Sequence, residues 1–312
     1  MRDHLCVSLE PNPHAVGCNA PQDWQIVQPC DTFVMRPFLS PIDTWPIETR
    51  RRIRGIFTDI DDTLTTDGAI TPDALAALQA LKASGLAVIA ITGRPVGWSE
   101  PFACRWPIDA IVAENGAVLL QNRHKKGLQP NENRREQLLK SYQQDAGLRV
   151  DNYARMQQVG QRVLHEVPGT CLAQDSAGRE TDMAIDHSEF TQLPPDKIAR
   201  VVAIMLSEGM TATVSSIHIN GWFGEHNKLV GARWAIRELF DRDLDIEMDS
   251  WTYVGDSTND QLMFDAFANS IGVANVRRFE AQLAHLPRYI TVGERGVGFA
   301  EAAQAILAAH AG

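Results

Sequence analysis

The stretch IRGIFTDIDDTLTTDG, residues 53–68, decides the fold that we expect for this chain. It opens with an apolar run over residues 53–57, which is typical of a strand buried on both faces of a parallel sheet. The run then breaks into three aspartates, Asp59, Asp61 and Asp62. Carboxylates crowded at the end of a buried strand raise one another's pKa. We therefore expect a cation beside them.

The spacing of the aspartates suits both a metal ion and phosphoryl chemistry. Mg²⁺ prefers oxygen ligands and commonly uses one or two carboxylates together with substrate phosphate oxygens. Asp59 and Asp61 are two residues apart, so in an extended chain their side chains leave the same face. One carboxylate can attack phosphorus and form an aspartyl-phosphate, while the other protonates the leaving oxygen and later activates water. The alternative is a solvated acidic turn closed by Asp67 and Gly68.

Composition narrows the class of protein. The chain has 312 residues, enough for one large or two medium domains, and a formal net charge of -10 from 29 Lys and Arg against 39 Asp and Glu. This balance argues against a nucleic-acid partner, since such proteins usually present a basic face. No apolar run approaches the roughly 18 to 20 residues of a membrane span, and no signal peptide is evident. We expect a cytoplasmic protein that does not bind membranes.

The five cysteines and the N-terminal region carry little chemistry. None of the cysteines has C-x-x-C spacing, so we expect reduced thiols rather than a zinc site or disulfides. Residues 1–50 lack a clear period and contain seven prolines, which predicts an extended arm or a poorly ordered tail. A partner-binding arm that uses Trp24, Phe33 and Phe38 is the alternative. The arginine run at 50–54 is interpreted as a solvated lead into the first strand.

A repeating pattern of strand and helix follows the aspartates. Thr71 caps a helix that Gly85 ends, and the strand LAVIAITGR then stops at residues 92–94. A third strand, DAIVAENGA, stops at residues 114–116. This alternation predicts right-handed crossovers and a parallel sheet, in which ligands collect at the carboxyl ends of the strands.

The pattern changes at about residue 123. Between there and residue 223 the sequence predicts the order helix, strand, strand, helix, strand, strand, as in an α+β domain with an antiparallel sheet. The predicted elements are helices around 132–144 and 153–165, strands around 171–175 and 181–186, a helix over 195–208, and strands around 211–216 and 217–223. The parallel pattern resumes with a helix from Asn227 and the strand WTYVGDSTND. We therefore expect a core domain of residues 51–122 and 224–312, split by an inserted cap domain of residues 123–223, with residues 1–50 as the arm.

Four short motifs stand at strand ends or just after the insertion. Taken singly, each has an ordinary explanation: Thr92 as a turn cap, Lys228 as a surface lysine, and the last motif as an acidic helix start. The motifs are, in order, Asp59-x-Asp61-x-Thr63, Thr92-Gly93-Arg94, Lys228 and Gly255-Asp256-x-x-x-Asp260. Together they resemble the four signatures of the haloacid dehalogenase (HAD) superfamily of phosphohydrolases, over about residues 53–124 and 224–300.

The position of the insertion narrows the resemblance to subfamily IIB. A cap between the third core strand and the lysine is similar to the type 2 cap of that subfamily, as are Glu114-Asn115-Gly116-Ala117 and the G-D-S-x-N-D form of the last motif. The resemblance implies an α/β fold: a Rossmann-like parallel-sheet core with an inserted α+β cap of the C2B kind. Members similar in cap size include sucrose-phosphate and mannosyl-3-phosphoglycerate phosphatases.

The resemblance also implies roles for single residues. Asp59 would be the nucleophile and a Mg²⁺ ligand, and Asp61 the general acid and base, with its backbone carbonyl on the metal. Asp256 would bind Mg²⁺ directly. The remaining positions carried over are Thr92, Gly93, Lys228 and Asn259 for the phosphoryl oxygens, with Asp260 and Thr63 supporting the site from behind.

Substrate choice would fall to the inserted domain, because the core recognises only phosphate. The candidates facing the cleft are Asn115, Arg179, Asp182, Asp186, His218, Asn220 and Trp222. Each has a structural alternative: His218 as a satisfied sheet histidine, Arg179 in a surface salt bridge with an aspartate, and Trp222 as hinge packing.

Three functions are compatible with these residues. The first is a Mg²⁺-dependent phosphatase that hydrolyses a small phosphorylated metabolite, most plausibly a sugar phosphate, through an aspartyl-phosphate. The second is a phosphotransferase or mutase, like the phosphomannomutases, that passes the phosphoryl group to a sugar. The third is a non-catalytic binding protein that retains the fold, against which the intact Asp59, Asp61, Lys228 and Asp256 argue. The sequence leaves the oligomeric state and the identity of the substrate open.

Overall fold

The structure is a computed structural model that describes residues 39–123 and 137–312. These residues belong to one compact unit, Pro37–Gly312. Most of the predicted arm, including Trp24, Phe33 and Phe38, lies outside the described residues. So do three of the five cysteines and the first part of the helix predicted at 132–144.

The elements alternate as the sequence pattern predicts for an α/β protein. The described strands are β1 (Ser40–Pro41), β2 (Gly55–Thr58), β3 (Thr65–Thr66), β4 (Ala69–Ile70), β5 (Ala87–Ile91), β6 (Ala110–Ala113), β7 (Val118–Arg123), β8 (Gln137–Tyr142), β9 (Met183–Asp186), β10 (Thr211–Val214), β11 (His218–Trp222), β12 (Trp251–Gly255), β13 (Ile271–Gly272) and β14 (Tyr289–Ile290). The described helices are α1 (Ile47–Arg52), α2 (Pro72–Ala83), α3 (Val96–Arg105), α4 (Ala146–Glu166), α5 (Pro195–Ser207), α6 (Lys228–Phe240), α7 (Leu244–Glu247), α8 (Gln261–Ala266) and α9 (Arg295–His310).

One large sheet organises the chain. Across the described residues its strand order is β1-β14-β13-β12-β2-β5-β6-β7-β8. Every pairing from β1 to β6 is parallel, and β7 and β8 continue the sheet in the antiparallel sense. Because β2 lies between β12 and β5, the loops that follow these three strands meet at one edge of the sheet. The predicted α/β fold with a parallel core is confirmed.

Strand β2 is buried on both faces, as its apolar run predicts. All four of its residues are buried. Ile56 joins a cluster with Leu78 of α2 on one face, and Phe57 joins a cluster with Ile236 of α6 on the other. Fully burying a side chain of this size contributes roughly 1.5 to 3 kcal/mol. Because Ile56 and Phe57 pack on opposite faces of the sheet, they anchor the strand that precedes the aspartates.

The glycine that opens β2 is required by close packing. A Cβ at Gly55 would lie 2.2 Å from the ring of Trp251 on the neighbouring strand. That ring also lies against Phe57, with 4.9 Å between the ring centroids. A side chain at position 55 would displace the tryptophan and disturb the pairing of β2 with β12.

A smaller antiparallel sheet, with strand order β10-β11-β9, forms the second layer. Its core contains Met156 of α4, Val201 of α5 and Ile219 of β11. This agrees with the α+β character predicted for the insertion. The strand predicted over 171–175 is reduced to a single bridge between Leu172 and Ile185, and a 3-10 turn, Ser176–Gly178, follows it. The two segments predicted as strands therefore pair in the antiparallel sense, but only through this bridge and its flanking backbone hydrogen bonds.

Residues 137–142 differ from the sequence prediction. They form strand β8 and pair with β7 over six residues rather than extending a helix. Leu138 and Tyr142 pack against the core of the large sheet, so burial of these side chains overrides the helical propensity of the segment. The smaller layer is thus built from residues 146–223. The division into core and cap domains at residue 123 stays a prediction.

Residues 39–52 also differ from the prediction of an arm extending to residue 50. Strand β1 pairs with β14 at the edge of the large sheet. Trp45 is 1% exposed and stacks on Tyr289 with 5.4 Å between ring centroids. Arg50 and Arg51 donate to backbone carbonyls in the last turns of α9, where cations are favoured. These two arginines are part of the fold rather than a solvated lead.

Among the described helices, none has both the length and the apolar character that crossing a bilayer requires.

Candidate active site

Asp59 follows β2 directly and is held at the edge of the sheet. Its backbone N–H donates to the carbonyl of Val254 on β12 at 2.9 Å, and it is 4% exposed. The ammonium of Lys228 lies 3.0 Å from Oδ1 of Asp59. Lys228 is the first residue of α6, which Asn227 caps by accepting the N–H of Val230 at 2.9 Å. Two residues on opposite sides of the insertion are thereby brought into contact.

Asp260 orients both the lysine and the loop after β12. Its Oδ1 accepts the ammonium of Lys228 at 2.6 Å and the hydroxyl of Tyr253. Its Oδ2 accepts the backbone N–H groups of Asp256 and Ser257 at 2.9 and 3.1 Å. Both oxygens are therefore engaged by the protein. The predicted supporting position of Asp260, behind the lysine and the last motif, agrees with this geometry.

Three carboxylates converge at this point. Oxygen atoms of Asp59, Asp256 and Asp260 all lie within 4.8 Å of one another, and all three residues are buried. Oδ2 of Asp256 accepts from Asn275 at 3.0 Å, whereas its Oδ1 is buried without a hydrogen-bond partner. An unpaired buried carboxylate oxygen is costly. A hard divalent cation would satisfy it, so the donor set fits Mg²⁺.

The burial of this cluster shifts its pKa values. Burial raises the pKa of Asp59 to about 7, Lys228 opposes the rise, and Asp260 and Asp61 add to it. Burial also raises the pKa of Asp256 well above its usual range, with Asp260 and Asp59 contributing. For Lys228, burial lowers the pKa but the attraction of Asp260 and Asp59 outweighs it, so the pKa is raised. A divalent cation would favour the ionised carboxylates.

Asp61 lines the same cavity as Asp59 and is bound by Arg94. The Nε of Arg94 donates to both oxygens of Asp61, at 3.0 and 3.1 Å. The same guanidinium reaches Asp175 at 3.2 Å and Glu189 at 2.8 Å on the smaller layer. His218 bonds Glu189 at 2.8 Å in turn. The residue predicted to be the general acid and base is thus tied through one arginine to the smaller layer, and the predicted contact of its carbonyl with the metal stays a prediction.

The loop after β5 presents Thr92 and Gly93 to the same edge. The N–H of Arg94 donates to the Thr92 hydroxyl at 3.0 Å, which leaves the hydroxyl proton available to a phosphoryl oxygen. The Gly93 carbonyl accepts from Arg179 at 3.1 Å and from Asn220 at 3.2 Å. Side chains of the smaller layer therefore hold the backbone of this loop.

The remaining core positions also lie near the aspartates. Asn259 lines the cavity above Asp59 and accepts from the Ser257 hydroxyl at 2.9 Å. Thr63 is fully buried, and its hydroxyl has no hydrogen-bond partner.

Four of the predicted specificity residues, Asn115, Arg179, Asp182 and Asn220, form a buried polar cluster with one another. Asp182 accepts from Arg179 at 2.7 Å, from Asn220 at 3.2 Å and from Asn115 at 3.3 Å. Burial raises the pKa of Asp182 to about 7, although Arg179 opposes the rise. The ion pair of Arg179 with Asp182 is buried, which differs from the surface salt bridge considered as its alternative.

Asp186 and Trp222 are also occupied by the protein. Both oxygens of Asp186 accept backbone N–H groups, from Glu189 and Phe190 at 2.9 Å each. Trp222 is 1% exposed and donates to the carbonyl of His226 at 3.0 Å. Of the seven predicted specificity residues, His218 and Asn220 line the cavity that also contains Asp59.

That cavity closes over the carboxylates. The turn between β10 and β11, residues 215–217, covers it from the smaller layer, and Asp61, Gly93 and Arg94 line it from the core. Its volume is about 10 Å³, which is roughly the space that one water needs. Substrate entry therefore requires movement of the smaller layer or of this turn.

Sequence reasoning missed the role of Glu114. Its side chain is fully buried and its φ is 49°, in the left-handed region. The carboxylate accepts the N–H of Val96 at 3.0 Å, the N–H of Glu180 at 2.9 Å and both donors of Thr181. It joins the loop after β6 to the start of α3 and to the smaller layer. The Glu-Asn-Gly-Ala motif drew attention to the position but not to these bonds.

Comparison with known proteins gives a family match for part of the chain and a fold for most of it. The sequence model of the haloacid dehalogenase-like hydrolases matches residues 56–157. No curated protein matches the chain. The chain is similar to the solved structure of Thermoplasma acidophilum 0175, with 16% identity and a TM-score of 0.60 over 81% of this chain and 98% of that one. It is also similar to the sucrose-phosphatase of Synechocystis sp. PCC6803, determined with sucrose and phosphate. That match has 15% identity and a TM-score of 0.56, and covers 82% of this chain and 98% of that one.

A third similar structure is described as a sugar phosphatase of HAD subclass IIB. It shares 15% identity at a TM-score of 0.53, covering 81% of this chain and 96% of that one. At these identities the structures establish the fold alone. Residues 56–157 therefore match the haloacid dehalogenase-like hydrolases in sequence, and the chain shares its fold with these solved structures.

Proposed function

We propose that the protein is a Mg²⁺-dependent phosphatase that hydrolyses a small phosphorylated metabolite, most plausibly a sugar phosphate, through an aspartyl-phosphate on Asp59. One arrangement of side chains carries the proposal. The buried carboxylates of Asp59, Asp256 and Asp260 converge, and Oδ1 of Asp256 has no hydrogen-bond partner. The ammonium of Lys228 lies beside them, 3.0 Å from Asp59. The family match and the phosphatases among proteins of similar fold support a phosphatase.

The residues supply what phosphoryl transfer requires. That reaction depends mainly on in-line positioning and neutralisation of charge. Asp59 would attack phosphorus, and the bond from phosphorus to the leaving oxygen would break. Lys228, the Thr92 hydroxyl and the Gly93 N–H would hold the phosphoryl oxygens, with Asn259 nearby. When bound by Asp59, Asp256 and the Asp61 carbonyl, Mg²⁺ would neutralise the developing charge.

Asp61 would manage the protons in both halves of the reaction. It would give a proton to the leaving oxygen as that bond breaks. It would then take a proton from the water that attacks phosphorus, and the bond to Asp59 would break to release phosphate. Because Arg94 holds both oxygens of Asp61, Asp61 must exchange one of these bonds for the leaving group. Binding of substrate at the closed cleft would drive that exchange.

The sugar-phosphate assignment rests on the proteins of similar fold. The Synechocystis structure contains sucrose and phosphate, and the subclass IIB structure is described as a sugar phosphatase. In this chain, His218 and Asn220 add hydrogen-bonding side chains to the cavity above Asp59, and sugar hydroxyls suit such groups. The cytoplasmic location stays a prediction.

Phosphate release by the purified protein tests the proposal. We expect hydrolysis of p-nitrophenyl phosphate and of sugar phosphates with Mg²⁺, inactivation by EDTA and recovery on adding Mg²⁺. Product analysis with an acceptor sugar present separates hydrolysis from phosphoryl transfer to the sugar. Activity that is indifferent to chelation would contradict the metal assignment, and a protein inert toward every phosphomonoester would contradict the phosphatase.

A further inference from the structure

A second pocket opens beside the closed cavity and shares Asp61, Arg94 and Ile217 with it. Its volume is about 360 Å³, within the range of small-molecule sites of about 300 to 1,000 Å³. We name it the leaving-group pocket, because it is lined by Asp61, the residue proposed to protonate the leaving oxygen. Its other lining residues include Ser188, Glu189 and Phe190 from the loop after β9.

Negative charge prevails among the residues that line this pocket. Its carboxylates are Asp61, Asp62, Asp67 and Glu189, and its cations are Arg94 and Arg295. Both cations are already engaged by carboxylates of the protein. An additional anionic group on a ligand would therefore meet carboxylates rather than a free cation, and like charges placed together cost several kcal/mol.

The contacts of the two arginines leave little capacity for an anion. Arg94 binds three carboxylates and its side chain is only 6% exposed. Arg295 lies 3.0 Å from Asp62 and 3.6 Å from Asp67. Lys228 lies at the other end of the cleft, bound to Asp59 and Asp260. Neither arginine of the pocket is therefore left without a carboxylate partner to bind an anionic leaving group.

One wall of the pocket is apolar and rigidly placed. Phe190 is 64% exposed, although large aromatic side chains are usually covered. Its backbone is fixed, because Asp186 accepts the N–H groups of both Glu189 and Phe190. Ile217 lines the same pocket from the turn between β10 and β11. The exposed ring is thus a fixed surface at the pocket rather than the tip of a loose loop.

We propose that the leaving-group pocket selects phosphomonoesters whose leaving group carries no negative charge, and that Phe190 packs on an apolar face of that group, such as one face of a sugar ring. The inference rests on the proposed phosphatase function and narrows its substrate class. It predicts discrimination against sugar acid phosphates and bisphosphates, in which the leaving group is itself an anion.

A series of substrates that differ in charge tests the electrostatic part. Glucosamine 6-phosphate and glucose 6-phosphate carry a cationic and a neutral ring as leaving group, 6-phosphogluconate carries an anionic open chain, and sorbitol 6-phosphate is its neutral open-chain control. We expect kcat/KM for 6-phosphogluconate to fall at least about tenfold below those for glucose 6-phosphate and sorbitol 6-phosphate, with the amine at least equal to glucose 6-phosphate. Inhibition constants of these substrates against p-nitrophenyl phosphate should follow the same order. An equal or reversed order would overturn the proposal.

A variant of the aromatic wall tests the second part. Phe190→Ala should raise KM for glucose 6-phosphate about fivefold, since losing an aromatic contact costs around 1 kcal/mol, with little change in kcat. Acetyl phosphate, whose leaving group is too small to reach the ring, should be unaffected. Ile246→Ala is the matched control, because Ile246 is 86% exposed and lies outside the pocket. Equal loss with both substrates, or no loss with glucose 6-phosphate, would remove Phe190 from the site.

A third variant reduces the discrimination against an anionic leaving group. Asp62→Asn removes one carboxylate and releases Arg295, at a left-handed position (φ 53°) that asparagine tolerates. The ratio of kcat/KM between glucose 6-phosphate and 6-phosphogluconate should narrow about threefold, and an unchanged ratio would contradict the charge argument. Failure of the proposed function looks different: p-nitrophenyl phosphate would not be hydrolysed at all, which would overturn that function and this inference with it.

Discussion

The ammonium of Lys228 lies 3.0 Å from the carboxylate of Asp59, although the inserted layer separates the two residues in sequence. The loop after β2 supplies the carboxylate and the first turn of α6 supplies the cation. Asp260 holds the lysine from the other side at 2.6 Å. In the proposed reaction, Lys228 binds the phosphoryl group from this position.

Lys228→Met should lower kcat/KM for p-nitrophenyl phosphate by about a hundredfold or more, because it removes the one ammonium that the described site directs at the phosphoryl position. Steady-state kinetics with saturating Mg²⁺ measures the effect. Lys82→Met is the matched control: Lys82 pairs with Asp109 and lies away from the site. Comparable losses in the two variants would refute a specific role for Lys228.

Asp256→Asn should weaken Mg²⁺ activation at least about tenfold, because it removes the carboxylate whose Oδ1 has no protein partner. The same change should leave the thermal stability of the metal-free protein equal or higher, since it replaces a buried carboxyl whose Oδ1 has no hydrogen-bond partner and whose ionisation is disfavoured by burial. Titration of activity with Mg²⁺ and melting curves with EDTA give the two readings. Unchanged Mg²⁺ dependence would exclude Asp256 as a ligand.

The stability of the metal-free protein should depend on Asp59 in a definite pH window. Burial raises the pKa of Asp59 to about 7 from an ordinary value of 3.8. Between these values the folded protein binds the proton more tightly than the unfolded chain does. The contribution of Asp59 to the free energy of unfolding is therefore full below pH 4 and is lost as the pH rises toward 7.

Asp59→Asn removes this dependence and so provides the comparison. In EDTA, the difference in melting temperature between variant and wild type should grow in favour of the variant from pH 5 to pH 8. Saturating Mg²⁺ should reduce or reverse the difference, because the cation stabilises the ionised carboxylate of the wild type. A difference in melting temperature that stays constant with pH in EDTA would contradict the raised pKa of Asp59.

Arg94→Met should destabilise the protein by about 3 to 5 kcal/mol, because it leaves Asp61, Asp175 and Glu189 without their shared cation in a largely buried site. Chemical unfolding monitored by circular dichroism measures the change. Arg200→Met is the control, since the pair of Arg200 with Glu166 is exposed and such pairs contribute about 1 kcal/mol or less. Equal losses in the free energy of unfolding for the two variants would show that Arg94 does not join the large sheet to the smaller layer.

Sequence reasoning predicted the parts of this molecule that depend on short, local patterns. The apolar run before Asp59 and the strands that stop at Thr92 and Asp256 predict a parallel sheet, and the carboxyl ends of such strands meet at one edge. The contacts within the site follow from that geometry.

The parts that sequence reasoning missed depend on long-range packing. Strand β8 is held by pairing with β7, and Trp45 is buried against Tyr289, which is far away in the chain. The sequence suggests a salt bridge of Arg179 with an aspartate only as a surface pair, whereas its pair with Asp182 is buried. The role of Arg94 likewise depends on carboxylates, Asp175 and Glu189, that only the fold brings to it.

The capture of the covalent intermediate tests the central claim most directly. Wild-type protein mixed with a phosphomonoester and Mg²⁺ is quenched in acid within the first turnover, digested and analysed by mass spectrometry. We predict a phosphorylated peptide that contains residues 53–68 with the phosphoryl group on Asp59, and its absence in Asp59→Asn together with loss of activity. Turnover by the wild type with the phosphoryl group on another residue, or full activity in Asp59→Asn, would contradict the account.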